Sequence, residues 1–243
     1  MPPLHHPYRH AAYFAPAPDS LAWSLGSQWL GRCARSGLPL PQPVPTGIDA
    51  PTLARVTQAP RRYGWHATLK APFSLAASAR PAQLHTAFTQ LAAAVANSFT
   101  LEVEVAQVGD FLALVPLRRS DALHALADAC VRELQPFAVP LPDTELARRR
   151  QGGLSPRQER MLLQWSYPFV MQDFQFHLTL SGSLAGVSDA HRSALAAHAR
   201  QWFAPVLARG VLIDAVSWFV EDTPGADFRW QERFAFAPWA PAV

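Results

Sequence analysis

The sequence predicts an α+β protein built of two similar lobes facing one cleft. Three observations lead there. The chain of 243 residues, with 49% hydrophobic and 16% charged content, is long enough to bury a sizeable core. Short alternating strands are interleaved with amphipathic helices in the order strand, helix, strand, turn, strand, and that order occurs twice. Each copy carries the same signature on its first strand, Trp65-His66-Ala67-Thr68-Leu69 in one and Phe176-His177-Leu178-Thr179-Leu180 in the other.

Taken in order, residues 8 to 14 read as a first strand, closed by Pro16 and Pro18. Asp19 or Ser20 is placed to cap a helix from 21 to about 35, with Gly37 as its stop. The proline-rich stretch 38 to 51 is loop, after which Asp49 caps a short helix reaching about Gln58. Residues 61 to 70 read as a strand ended by Pro72. Pro81 opens a helix to about Asn97. Strands at 99 to 106 and 111 to 117 follow, with Gly109-Asp110 as their turn. Residues 121 to 135 are an amphipathic helix. Residues 143 to 150 form a short basic helix broken by Gly152-Gly153. Ser155-Pro156-Arg157-Gln158 combines an N-cap, a first-turn proline and a capping-box glutamine, and starts a helix to about Trp165. The second unit then repeats the pattern: a strand at 174 to 180, a helix at 188 to 203, and strands at 211 to 220 and 228 to 236. The expected boundaries are lobe 1 at about 8–135, with a helical and proline-rich insertion at 19–60, a connecting helical segment at about 136–168, and lobe 2 at about 170–237.

Composition excludes several classes. No stretch approaches the roughly 18 apolar residues of a membrane span. The start, Met1-Pro2-Pro3-Leu4-His5-His6-Pro7, has no basic region followed by an apolar one, so a secretory signal is not expected. Two cysteines, Cys33 and Cys130, suit a reducing cytoplasm and cannot build a disulfide framework. The formal net charge of +3 is compatible with anionic ligands. Lys70 is the single lysine of the chain, beside 20 arginines.

Strand geometry says what the repeated signature does. Side chains alternate faces, so His66, Thr68 and Lys70 share one face, and His177, Thr179 and Ser181 share the equivalent one. The opposite faces, Trp65, Ala67 and Leu69, and Phe176, Leu178 and Leu180, are apolar and suited to packing. Two lobes related by a pseudo-twofold bring the polar faces together, so that two imidazoles and two hydroxyls converge on one small ligand.

These paired motifs resemble the two-histidine (2H) phosphoesterase superfamily, which includes RNA 2′,3′-cyclic phosphodiesterases and 2′-5′ RNA ligase-like proteins. Within it, Arg62-Tyr63-Gly64-Trp65-His66-Ala67-Thr68-Leu69-Lys70-Ala71-Pro72-Phe73 and Tyr167-Pro168-Phe169-Val170-Met171-Gln172-Asp173-Phe174-Gln175-Phe176-His177-Leu178-Thr179-Leu180-Ser181-Gly182 are similar to a subgroup associated with phosphonate-utilisation gene clusters. The resemblance covers about residues 8 to 236. It implies a bilobal α+β fold with a central cleft, His66 and His177 as an acid/base pair, Thr68 and Thr179 holding phosphate, and no metal or cofactor.

The residue types suit that chemistry. Opening a cyclic phosphodiester needs a base to activate water and an acid to protonate the departing sugar oxygen, and imidazoles titrate near neutrality. Hydroxyls two residues on can hold the non-bridging oxygens. Lys70 would add positive charge on the same face, with Ser181 its counterpart in the repeat, and Tyr63 and Arg62 would line the cleft mouth. Against these stand plain readings: strand histidines satisfied by neighbours, threonines as strand formers, Lys70 as a solvated residue. Duplication of the whole signature favours catalysis for the histidines. Arg148, Arg149 and Arg150 with Arg157 and Arg160 could form an anion-binding lid or RNA patch, although a solvated helix face is the preferred reading. Tyr167 is a candidate for stacking on a base or sugar. Nothing is assigned to His5, His6 and His10. A metal site is disfavoured, since there is no HExxH, no CxxC and no carboxylate interleaved with either motif.

Three function classes follow. The first is a metal-independent cyclic phosphodiesterase acting on a small ribose- or nucleotide-type phosphate. The second is an RNA-end 2′,3′-cyclic phosphodiesterase or 2′-5′ ligase. The third is a non-catalytic nucleotide-binding module. Modest net charge without clustered lysines favours a small phosphorylated partner over RNA, and two complete motifs argue against the binding module. No membrane partner is expected.

Overall fold

All three sheets are assembled in part from strands that lie far apart in the chain. In the computed structural model, which describes residues 7–236, the central sheet is antiparallel with the order β2 (Ala67–Phe73), β1 (Arg9–Phe14), β8 (Ala215–Glu221), β9 (Arg229–Ala235). A second sheet has the order β4 (Val103–Val108), β5 (Phe111–Pro116), β6 (Leu178–Thr179). A short pair, β3 (Phe99–Leu101) and β7 (Val211–Ile213), joins them. The result is a mixed α and β fold with antiparallel sheets.

The pairing interleaves the two halves of the chain. The hairpin β4–β5 of the first repeat pairs with β6 of the second, and the hairpin β8–β9 of the second joins the sheet that holds β1 and β2. Strands from the expected stretches 8–135 and 170–237 thus share sheets. Each long apolar run that reads as one strand is split by a single residue, Glu102 or Asp214, and crosses from the small pair into the sheet of the other repeat. Local patterning carries no information on that exchange. The N-terminal His5-His6 tract and the last residue of the expected lobe 2 lie outside the described residues.

Helices cover the sheets as their apolar stripes dictate. α3 (Pro81–Ala93) and α4 (Asp121–Leu134) pack on the central sheet, α4 burying Leu123, Leu126, Ala127, Cys130, Val131 and Leu134. α7 (Asp189–Trp202) and α8 (Ala204–Arg209) pack on β4. α1 (Leu21–Leu30) is capped by Ser20, whose hydroxyl accepts from the Trp23 amide, and stops at Gly31 rather than Gly37 because Gly31 already takes a left-handed conformation. α2 (Ala50–Tyr63) is capped by Asp49 as expected, then runs through Pro60, so residues 61–63 are helical rather than strand. Pro72, expected to end β2, lies inside it. β2 is an edge strand, where a missing N–H costs no ladder bond. α5 (Asp143–Arg150) and α6 (Pro156–Trp165) match the expected connecting helices, and α6 carries the Ser155/Gln158 capping box. Among the described residues no helix is long and apolar enough to cross a membrane.

Candidate active site

Both histidines stand immediately ahead of a strand, His66 before β2 and His177 before β6. The local sequence fixes each ring. Gly64 closes α2 at φ 78°, where a Cβ would come within 2.4 Å of the Ala34 Cβ, and its carbonyl accepts from His66 Nδ1 at 2.9 Å. Trp65 is buried against Phe203 and against Gly26 of α1, whose missing side chain makes room for the indole. With Trp65 pinned inward, His66 must turn the other way. In the second motif His177 Nδ1 donates to the carbonyl of Gln175 at 2.8 Å, again two residues back. The same bond therefore sets the same tautomer twice: Nδ1 carries the hydrogen, and Nε2 is left to accept or, once protonated, to donate.

The two rings line one cleft of about 410 Å³, together with Thr68 and Thr179. Buried and half-buried residues alternate identically along both signatures, with the histidines and threonines on the open side. His66 stacks on the buried ring of Tyr13 at 3.8 Å, its Nε2 lies 3.4 Å from the Thr68 hydroxyl, and His177 contacts Phe111. Desolvation, and to a lesser extent the charge of His177, lower the His66 imidazole to about 4; desolvation also lowers His177. At neutral pH the free cleft thus holds two neutral imidazoles.

The remaining candidates divide. Tyr63 lines the cleft, its ring stacked on Phe228 and its hydroxyl accepting from Arg62. Ser181 borders the cleft, but its hydroxyl is committed, donating to the Gly182 carbonyl and accepting from the Leu112 amide. It ties β6 to β5. Lys70 is a correction. It does not line the cleft; it is buried on the opposite side, where Nζ donates to Gln135 at 2.6 Å and lies over Phe73. The cause is a register shift in β2: Tyr13 pairs with Thr68 but Ala12 pairs with Lys70, so Leu69 is an extra residue and face parity inverts after it. Burial pulls the Lys70 ammonium down to about 8.

Several cleft residues carried no motif. Tyr13 and Arg9 come from β1, and Phe111 from β5. Their alternation along β1 was a usable but weak signal. The arginine run is split. Arg150 pairs with Glu159 and Arg157 with Asp173, as a solvated face would, whereas Arg148 and Arg149 line the cleft with Tyr167. No aspartate or glutamate among the described residues lines it. An apolar recess of about 270 Å³ adjoins His177 and Thr68, lined by Val108, Phe111, Phe169 and Phe174.

Comparison with known proteins gives four findings. The chain is 37% identical over 230 residues to "Ribose 1,5-bisphosphate phosphokinase PhnN" of Janthinobacterium sp. (strain Marseille), covering 94% of this chain and 51% of that protein. It is 37% identical over 226 residues to the protein of the same name from Laribacter hongkongensis (strain HLHK9), covering 91% of this chain and 50% of that one. The chain thus spans about half the length of the curated relatives it matches. A solved structure titled "Crystal structure of phosphoesterase" aligns over 96% of this chain and 99% of that chain, with a TM-score of 0.41 and 13% identity. The family model described as "Protein of unknown function (DUF1045)" matches residues 68–229, a stretch that begins just past His66 and includes His177, and the chain belongs to that family.

Proposed function

We propose that the protein is a phosphoesterase that opens a cyclic phosphodiester on a ribose-type small molecule, using His66 and His177 as the acid/base pair and no metal. One observation carries this reading. Two imidazoles, each held by an Nδ1–H bond to the carbonyl two residues earlier, share a cleft lined by three arginines and no carboxylate among the described residues. Such a cleft suits an anion and offers two proton-transfer groups to it.

The step balances without further reagents. A neutral imidazole accepts a proton at Nε2 from water, whose oxygen forms a new bond to phosphorus. The bond from phosphorus to one sugar oxygen breaks, and the second imidazole, charged, gives its Nε2 proton to that oxygen. Thr68 and Thr179 donate to the non-bridging oxygens as negative charge grows there. Burial favours the neutral form of both rings, so the second imidazole takes up its proton together with the anion, whose charge raises the imidazole values it meets. The relatives' name concerns a ribose bisphosphate; a ribose cyclic phosphate is the substrate class this supports, and the placement in phosphonate metabolism belongs to the same reading.

A second reading rests on the apolar recess, which would receive a base and so favour nucleoside or RNA-end 2′,3′-cyclic phosphates. The test for both is turnover of ribose and nucleoside cyclic phosphates with EDTA present, in the wild type and in His66→Ala and His177→Ala. Each single variant is expected to lose turnover with its fold retained. Near-normal activity in either rejects the two-histidine mechanism, and binding without turnover of any cyclic phosphate points instead to the non-catalytic module.

A further inference from the structure

The groups that the proposed chemistry does not use gather in the same cleft. Arg9 comes from β1, its Nε held by the buried Glu221 carboxylate and its other nitrogens left for the cleft, Arg148 and Arg149 come from α5, and Tyr167 from the turn after α6. α5 has no buried residue, so apolar packing does not explain its place over the site. Glu145 holds its arginines in position, bonding Arg148 through two nitrogens and lying 3.3 Å from Arg149. Arg149 is the most telling. Its side chain is only 13% exposed, its guanidinium lies over the Tyr167 ring at 5.4 Å, and its buried Nε has no hydrogen-bond partner among the described residues. A dehydrated guanidinium with an open donor is costly until an anion completes it.

We propose that Arg9, Arg148 and Arg149 form a second anion subsite that takes a terminal phosphomonoester of the substrate, while its cyclic phosphate lies between His66 and His177. This rests on the reading above for the histidine end of the cleft. The substrate class is then a pentose or nucleotide cyclic phosphate that bears a second phosphate. Arginine suits the role because its planar fork can donate twice to one phosphate. A small ligand, rather than an RNA strand, follows from where the positive charge stops. On the α5 and α6 side the next arginines, Arg150 and Arg157, are tied to Glu159 and Asp173 rather than turned to the cleft, so on that side no basic track continues for a polynucleotide backbone.

The test compares adenosine 2′,3′-cyclic phosphate with its 5′-phosphorylated form in the wild type, Arg148→Gln, Arg149→Gln and the double variant. The wild type is expected to prefer the 5′-phosphorylated substrate in kcat/KM by about 100-fold, and the double variant to bring that ratio close to one. A purely structural role for the arginines would lower both rates and leave the ratio standing. A wild-type ratio near one, or an unchanged ratio in the double variant, overturns the proposal. So does a larger gain from extending the substrate to an oligoribonucleotide with a steep salt dependence, which would assign the site to RNA. Should no cyclic phosphate be turned over, the two-histidine reading fails separately. Calorimetry with ribose 5-phosphate then decides the subsite: binding at least 10-fold weaker in Arg149→Gln supports it, and equal binding rejects it.

Discussion

Acid should destabilise this protein through His66 in particular, and the size of the effect can be worked out. The folded imidazole is lowered from 6.5 to about 4, chiefly by loss of water around the ring. Between those values the unfolded chain holds a proton that the folded chain refuses, so falling pH draws the equilibrium toward the unfolded state. Stability is therefore full above pH 6.5 and erodes as the pH falls toward 4. Each pH unit in that window is worth up to 1.36 kcal/mol per proton, and between pH 7 and pH 5 the full shift amounts to about 2 kcal/mol. The ring borders an open cleft, and solvent screening brings the expected loss to about 1 kcal/mol. His66→Gln keeps an amide donor for the Gly64 carbonyl but cannot titrate. Urea denaturation of both proteins at pH 7 and pH 5 reads the difference: the wild type should lose about 1 kcal/mol more than the variant. Parallel losses would refute the claim that His66 is held neutral by the cleft. The requirement that the bound anion bring the second proton would then fall with it.

Three further outcomes follow from the site. Thr68→Ala and Thr179→Ala should each lower kcat by about 10- to 1000-fold with little change in unfolding midpoint, the cost of one lost donor at the developing charge; unchanged rates in both remove the phosphate-holding role. Gly64→Ala forces a side chain into a conformation at φ 78° and against the Ala34 Cβ at 2.4 Å, so a loss of about 2 kcal/mol or more, with His66 displaced, should appear in thermal unfolding and in rate. Lys70→Met removes a buried amine from the side of β2 away from the cleft, so kcat/KM per folded molecule should stay within about threefold of the wild type. A large rate loss at unchanged stability would restore Lys70 to the site against the observed register.

Much of the cleft's make-up was legible in the sequence because it is local. A signature of five residues, repeated, sets which side chains share a face, and the caps at Ser20, Asp49, Ser155 and Ser188 announce helix starts through their own hydroxyls or carboxylate. What stayed hidden depends on partners distant in the chain. The extra residue at Leu69 exists only in relation to β1, so strict alternation placed Lys70 on the wrong side. α2 could continue past Gln58 because Arg61 finds acceptors in Gln42 and the Leu30 carbonyl, neither of them near in sequence. The arginine run looked uniformly solvated, yet only Arg150 and Arg157 have a carboxylate from beyond their own helix to answer them.

The repeat and its surroundings divide the labour. Everything assigned to proton transfer and to the cyclic phosphate, His66, Thr68, His177 and Thr179, lies inside the duplicated units and obeys their symmetry. Everything assigned to the second phosphate lies outside them: Arg9 on the strand before the first unit, Arg148, Arg149 and Tyr167 in the segment between the two. The exchange of hairpins makes this workable. It leaves β2 and β6 each at the edge of its sheet, so both motifs border open space rather than a further strand. β6 contributes only two ladder residues. Sheet pairing alone therefore holds His177 weakly, and the Nδ1 bond to Gln175 together with the Ser181 clip on Leu112 supplies the missing constraint. The two motifs alone, alike in their residues, do not say which oxygen of a bound cyclic phosphate leaves. Under the proposed subsite, an arginine end on one side only would fix the substrate's direction, and that direction would decide which histidine meets water and which meets the leaving oxygen.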